Sequence, residues 1–328
     1  MKTFTVTNAT TLDAARAALA NGKAAVIAGG TDLISTLKSM CSPTGYDTLV
    51  NIKTISGLSG IKEEGGMLKV GALTTLTEIA KNETVKSKYT ALAEAARAVA
   101  TPELRNMGTI AGNICQQNRC WYFRAEDNLF NCARKPGGGQ CFALTGDNRY
   151  HSIFGMVGAC WAVSPSDIAP VLVAFGAKIV TNQKTWEVKD FFAVTGERQV
   201  AIAADEIVTE IQIPTPATGT KSAYRKYAIR KAFDFPIVGA AAVVTSSGSN
   251  VSAATIALGA VYNLPRLTTA GDTLVGKAID NSSAEAAGVA AVAGANAMPF
   301  TENTTAVGNQ YMIQLAKVMT KRAVLACK

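Results

Sequence analysis

Thr101-Pro102-Glu103-Leu104-Arg105-Asn106-Met107-Gly108-Thr109-Ile110-Ala111-Gly112-Asn113 is the stretch on which the reading of this chain turns. It is rich in turn formers, and Gly108 and Gly112 would let the backbone come close to a ligand. Five of the seven cysteines follow, at Cys115, Cys120, Cys132, Cys141 and Cys160. A glycine-rich segment suited to an anion thus adjoins a cysteine-rich segment suited to a metal.

Upstream, the pattern predicts a strand over Phe4 to Val6, a helix over Thr11 to Ala20 stopped by Asn21-Gly22, a buried strand over Ala24 to Ile27, a helix over Thr31 to Met40 and a strand over Thr48 to Ile52. The turn Ala28-Gly29-Gly30-Thr31-Asp32-Leu33 sets two glycines between a strand and a helix start, where free N–H groups favour a phosphate. Helix capping by Thr31 or Asp32 explains the same six residues, and the spacing is not Gly-x-Gly-x-x-Gly.

Leu58 to Val70 reads as a hairpin through Glu64-Gly65-Gly66, followed by helices around Leu76 to Ala80 and Ala91 to Ala100. Beyond the cysteines, Ala169 to Phe175 is expected helical, and Lys178 to Thr181 and Ile207 to Ile213 extended. Thr215-Pro216-Ala217-Thr218-Gly219 reads as a linker. A third segment then offers strands near Tyr224 to Ile229, Ile237 to Thr245 and Ala253 to Leu258, and helices near Ser283 to Ala295 and Val307 to Leu325. Gly271-Asp272-Thr273-Leu274-Val275-Gly276-Lys277 copies P-loop spacing, but Ala278 stands where a Mg²⁺-binding hydroxyl is needed and no apolar strand precedes it. It reads as a helix end with a glycine stop.

With 328 residues and 48% hydrophobic content, the chain can build two or three domains. Its first residues lack the apolar core of a signal peptide, and no run approaches a membrane span, so a cytoplasmic location is the default, with export only alongside a partner that carries a signal. The net charge of +8 is dispersed, without the basic patch and interleaved aromatics of a nucleic-acid binder. His151 is the single histidine, which excludes a site built on several.

An odd count of seven cysteines in a cytosolic chain points to metal rather than disulfides. The intervening residues number four, eleven, eight and eighteen, with no Cys-x-x-Cys pair, so any ligand set comes from one wandering loop. Arg119, Arg124, Arg134, Lys135, Arg149 and the Gly137-Gly138-Gly139 run in that loop would suit an anionic iron–sulfur cluster. Zinc is the rival, because thiolates serve both. Buried free thiols are the plain alternative. His151 could replace one thiol, although a hydrogen-bonded structural histidine is the more ordinary role.

Ala28 to Leu33, Arg105 to Asn113, Ser164-Pro165-Ser166-Asp167-Ile168-Ala169-Pro170, Asp205-Glu206-Ile207-Val208-Thr209-Glu210-Ile211-Gln212-Ile213-Pro214 and Lys226-Tyr227-Ala228-Ile229-Arg230 together resemble the FAD-binding medium subunit of the xanthine dehydrogenase and carbon monoxide dehydrogenase family of molybdenum hydroxylases. The resemblance implies an α+β protein made of α/β subdomains. A two-lobed FAD-binding domain of the PCMH/VAO type (1–55, then 56–219 with a cysteine loop over 114–160) would precede a smaller α/β domain of the CO dehydrogenase flavoprotein type (220–328). It further implies that Ala28, Gly29, Gly30, Thr31, Asp32 and Leu33 hold the diphosphate and that Thr109, Gly112 and Asn113 close on it. Asp167 would touch the flavin or ribityl side, with Val208 and Lys226 near the ring. Two glycine turns offering N–H groups could neutralise a diphosphate without a lysine clamp. Ala111 departs from the family's usual glycine.

The cysteine loop resembles a sub-branch with an extra [4Fe-4S] cluster, found in aldehyde oxidoreductases and 4-hydroxybenzoyl-CoA reductase. Cys120, Cys132, Cys141 and Cys160 fit the aldehyde-oxidoreductase pattern. The reductase pattern needs a cysteine where this chain has Tyr150, and Cys115 is left as a spare thiol or substitute ligand.

By this resemblance the chain does no chemistry on the organic substrate. Electrons from a molybdenum-cofactor subunit would pass through the [2Fe-2S] centres of another subunit to FAD, with the [4Fe-4S] cluster linking the flavin to an external carrier or storing charge. The assembly implied is a heterotrimer or a dimer of heterotrimers. Two readings from other classes compete: a zinc-stabilised scaffold with a decayed flavin site, and a nucleic-acid-binding protein.

Overall fold

The apolar run Ala24–Ile27 forms a strand at the edge of a small parallel sheet, and the segments around it follow the alternation expected of an α/β unit. The computed structural model describes residues 1–20, 22–43, 45–298 and 308–328. Asn21 of the expected helix stop and Val307 of the expected last helix lie outside these residues. Strands β1 (Thr5–Asn8), β2 (Ala24–Ile27) and β3 (Thr48–Asn51) stand in the order β1-β3-β2, both pairings parallel. The helix Leu12–Leu19 crosses between β1 and β2, started by Thr11, whose hydroxyl accepts from the Ala14 N–H at 3.1 Å. Its Ala15 and Leu19 are buried with Val50 and Ile52 in one apolar cluster.

Next come β4 (Ile61–Glu64), β5 (Met67–Gly71), β6 (Lys178–Thr181), β7 (Thr185–Glu187), the short hairpin β8 (Phe192–Thr195) and β9 (Arg198–Val200), and β10 (Val208–Pro214). Five of them form an antiparallel sheet in the order β4-β5-β10-β6-β7. Helices Thr90–Ala98 and Ile168–Phe175 cover it with a run of buried alanine, leucine and valine side chains. The last sheet is an antiparallel meander, β11 (Thr220–Tyr227), β12 (Val238–Ser247), β13 (Asn250–Gly259) and β14 (Arg266–Thr268), with helices Asn281–Ala291 and Tyr311–Leu325 packed on it.

Thr101 to Asn113 differs from the turn-rich run expected. It folds as two short helices, Pro102–Met107 and Ile110–Cys115, the first capped by Thr101 and the second by Thr109. Proline lacks only the N–H that a first helical turn leaves unused, so Pro102 starts a helix rather than breaking one. The P-loop-like segment is a 3-10 turn, Thr269–Thr273, followed by Gly276 at φ +80°. The cysteine loop holds one short helix, Trp121–Arg124, and two 3-10 turns, Glu126–Asn128 and Phe142–Leu144. An aromatic knot organises it, with Tyr122 against Phe130 at 5.2 Å and Phe130 against Phe142 at 5.0 Å between ring centroids. Among the described residues no helix is long and apolar enough to cross a membrane.

Candidate functional site

A cleft of about 730 Å³ opens where the parallel sheet, the two capped helices, the cysteine loop and the β8–β9 hairpin meet. Ala28, Gly29, Gly30, Thr31, Asp32 and Leu33 line it, as do Thr109, Gly112, Asn113, Asp167 and Val208. Residues more than a hundred positions apart are thus gathered on one surface. The size falls within the range that buries a cofactor.

The two glycine turns touch. A Cβ on Gly29 would lie 2.0 Å from the Met107 carbonyl oxygen, so only glycine permits the approach. Among the described residues, the N–H groups of Gly29, Gly30, Thr31, Asp32 and Leu33 donate to no protein acceptor. Consecutive N–H groups left open on a cleft wall form a cradle for an anion. The second turn contributes differently from the expectation of two equivalent N–H donors. Its Gly112 N–H donates to the Thr109 hydroxyl, and those of Ile110, Ala111 and Asn113 donate to the carbonyls of Thr74, Ala72 and Thr109. What remains on that side, among the described residues, is the Thr109 N–H, its hydroxyl proton and the close backbone approach.

Asp32 does not cap its helix. Its carboxylate accepts from Arg119 and Arg124, each at 2.7 Å, and from the Gln117 N–H at 3.0 Å. A residue within the cradle therefore pins the cysteine loop. Arg124 also donates to Thr36 Oγ1 at 2.9 Å, and the Arg119 guanidinium lies 4.1 Å over the Phe235 ring.

Asp167 is 2% exposed and held from two sides: the Tyr224 hydroxyl donates to Oδ1 at 2.6 Å, and Lys226 Nζ to Oδ2 at 3.0 Å. Burial pushes this carboxyl above its ordinary range, while Lys226 and the Tyr224 hydrogen bond pull it back. Lys226 donates as well to the Ala98 carbonyl at 2.9 Å and does not line the cleft. It stands behind Asp167. Tyr224, which the sequence pattern does not mark, is the residue that fixes the carboxylate's Oδ1. Asn113 Oδ1 accepts from the Ser166 hydroxyl at 2.5 Å, joining the second turn to the segment that carries Asp167.

Cys120, Cys132, Cys141 and Cys160 all line one small cavity of about 20 Å³ beside the cleft. Cys115 lies apart from them in the cleft wall, its thiol pushed up to about 12 by burial. Cys160 Sγ accepts from the Ala162 N–H at 3.4 Å and from Arg134 Nη1 at 3.6 Å. His151 Nε2 is 3.3 Å from Cys120 Sγ, and burial lowers the imidazole to about 4, so it is neutral near pH 7. Ala133 and Arg134 line both cavities. Among the described residues, no three His, Cys, Asp or Glu side chains are gathered so as to hold a metal ion. The four thiols surround a space instead of converging on a point. That space has room for about one water, so a larger group would need the loop to open.

The sequence model of the FAD binding domain in molybdopterin dehydrogenase matches residues 2–216, and that of the CO dehydrogenase flavoprotein C-terminal domain matches residues 222–327. The chain is 33% identical over 277 residues to the aldehyde oxidoreductase FAD-binding subunit PaoB of Escherichia coli, covering 81% of this chain and 83% of that one. It is 29% identical over 303 residues to the carbon monoxide dehydrogenase medium chain of Afipia carboxidovorans, covering 92% and 88%. Among solved structures, carbon monoxide dehydrogenase from Hydrogenophaga pseudoflava aligns with a TM-score of 0.75 at 26% identity, over 99% of this chain and 97% of that one.

Proposed function

The chain belongs to the FAD-binding medium subunits of the xanthine and carbon monoxide dehydrogenase family of molybdenum hydroxylases, and from that premise we propose that it serves as an electron-transfer subunit, holding FAD and a [4Fe-4S] cluster between a molybdenum-bearing partner and an external carrier. Substrate chemistry then lies on the partner, in agreement with the absence of any second histidine. When bound, FAD supplies the exchange between two-electron and one-electron partners.

The open N–H groups of Gly29 to Leu33 on the cleft wall are the observation that carries the flavin reading. They would hold the diphosphate, with the Thr109 hydroxyl beside them. Asp167 would orient the flavin side of the cofactor, its own position set by Tyr224 and Lys226. Val208, buried in β10, would shield the ring from water. Protein isolated without a flavin absorbance band, and failing to take up FAD on reconstitution, would defeat this reading.

For the cluster, the support is a donor set of four thiols around one cavity, with N–H donors and Arg134 facing Cys160. Thiolates serve zinc and iron–sulfur clusters alike, so the metal analysis decides between them. A bound cluster would supply one-electron exchange. Iron and acid-labile sulfide in equal amounts is the expected analysis; zinc without iron would remove the cluster and restore the scaffold alternative. The partners are a molybdenum-cofactor subunit and a [2Fe-2S] subunit, and co-purification of the two would test that assignment.

A further inference from the structure

Arg134 and Lys135 are adjacent in the chain and only 5% and 4% exposed. Among the described residues neither lies within ion-pair distance of a carboxylate. Lys135 donates to Asn128 Oδ1 at 2.7 Å and to the Phe130 carbonyl at 3.1 Å, and sits 5.4 Å from the Phe123 ring centroid. The Arg134 guanidinium donates to the Gly196 carbonyl, to the Arg198 carbonyl at 2.6 Å, to Gln199 Oε1 at 3.3 Å and to Cys160 Sγ at 3.6 Å. Glu197 is the acid that feels both cations, and it is hydrogen-bonded by Ser42 rather than paired with either.

Carbonyls satisfy the donors without cancelling the charge. A cation removed from water without a counter-charge is unfavourable, and the fold has two of them side by side. Besides Glu197, which pairs with neither, the groups within reach that can become anionic are the thiols: Arg134 Nη1 points at Cys160 Sγ from the wall shared by the cysteine cavity and the cofactor cleft.

Building on the cluster reading, we infer that Arg134 is a positioning residue that supplies the counter-charge for a thiolate-held iron–sulfur cluster and raises its reduction potential, with Lys135, which among the described residues bonds to no sulfur, adding a weaker field. A charged N–H donor to a ligand sulfur favours the more negative, reduced state over the oxidised one.

The test uses the full chain, reconstituted anaerobically with iron and sulfide, and reads the cluster midpoint by reductive titration followed by electron paramagnetic resonance. Arg134→Gln is expected to move the midpoint to a more negative value, Lys135→Gln to move it less in the same direction, and Arg134→Lys to fall between Arg134→Gln and the unaltered protein. Arg134→Gln with unchanged iron content and an unchanged midpoint overturns the inference. If Arg134→Gln fails to hold the cluster, retention by Arg134→Lys supports the counter-charge role. Loss in both variants shows that the carbonyl contacts to the hairpin, rather than the charge, are what matters. Unaltered protein that takes up no iron defeats the cluster reading itself, a result distinct from an unmoved midpoint.

Discussion

Gly29 has no room for a side chain: the Cβ it lacks would fall 2.0 Å from the Met107 oxygen, a backbone atom that cannot swing aside. Gly29→Ala is therefore expected to force the two turns apart, abolish flavin retention and lower stability by about 1–3 kcal/mol, the usual cost of overpacking. Gly139→Ala, at a position with open space around it, should leave flavin content and melting temperature as they are. Absorbance of bound flavin and thermal unfolding check both. The Asp167–Lys226 pair allows a second prediction. Either Asp167→Asn or Lys226→Met breaks a buried ion pair and should cost about 3–5 kcal/mol in urea unfolding, whereas the double substitution should recover part of that loss. At this scale the sequence was legible where chemistry is local. The Gly29-Gly30 turn could be read as the link between a strand and a helix because its neighbours decide its shape. Tyr224 could not, since its partner lies 57 residues away and nothing near it in sequence marks the contact.

The cysteine loop is held to the first lobe through Asp32, which fastens Arg119, Arg124 and the Gln117 N–H next to the N–H cradle. Arg124→Gln removes the guanidinium that bonds Asp32, Thr36 and the Asn118 and Gln117 carbonyls, charge-assisted contacts worth about 1.5–3 kcal/mol each. It should speed proteolysis within residues 114–160 and weaken FAD binding by roughly tenfold, by the conversion of about 1.4 kcal/mol per decade. Unchanged cleavage and flavin affinity would show that the loop holds its shape without this anchor. Serine in place of Cys120, Cys132, Cys141 or Cys160 should abolish the iron signal. Cys41→Ser and Cys327→Ser should spare it, because those thiols do not line the small cavity. Elements with a strong period or a stiff turn were legible: β2, β6 and the β4–β5 hairpin form where alternation and Gly65-Gly66 predict them. Pro102–Met107 and the β8–β9 hairpin were not. The first is too short to show a helical period and begins with a residue that usually ends one; the second borrows its shape from Arg134, whose fork grips the Gly196 and Arg198 carbonyls from 62 and 64 residues away.

In the molecule as a whole, the two parts that the Thr215-to-Gly219 segment joins share one apolar cluster. Tyr224, Ala241 and Ala257 of the last sheet belong to the same apolar cluster as the helices over the five-stranded sheet. The Ala91 N–H donates to Ser222 Oγ at 3.1 Å, and Glu94 accepts from the Tyr224 N–H at 2.7 Å and from Arg225 at 2.8 Å, which stitches β11 to helix Thr90–Ala98. Phe235, in the connection between β11 and β12, meets Arg119 at the cleft, so the last part of the chain also helps to close it. A chain ending at residue 219 would lose the partners of Asp167 and expose the apolar surface of helix Thr90–Ala98. Such a fragment is expected to aggregate or to unfold without a cooperative transition, and to retain no FAD. Size-exclusion chromatography with denaturant unfolding and flavin analysis decides the matter: a monomeric fragment that unfolds cooperatively and binds FAD would mean that the first 219 residues build their core unaided, and that the Tyr224 and Lys226 contacts to Asp167 are dispensable to the cleft.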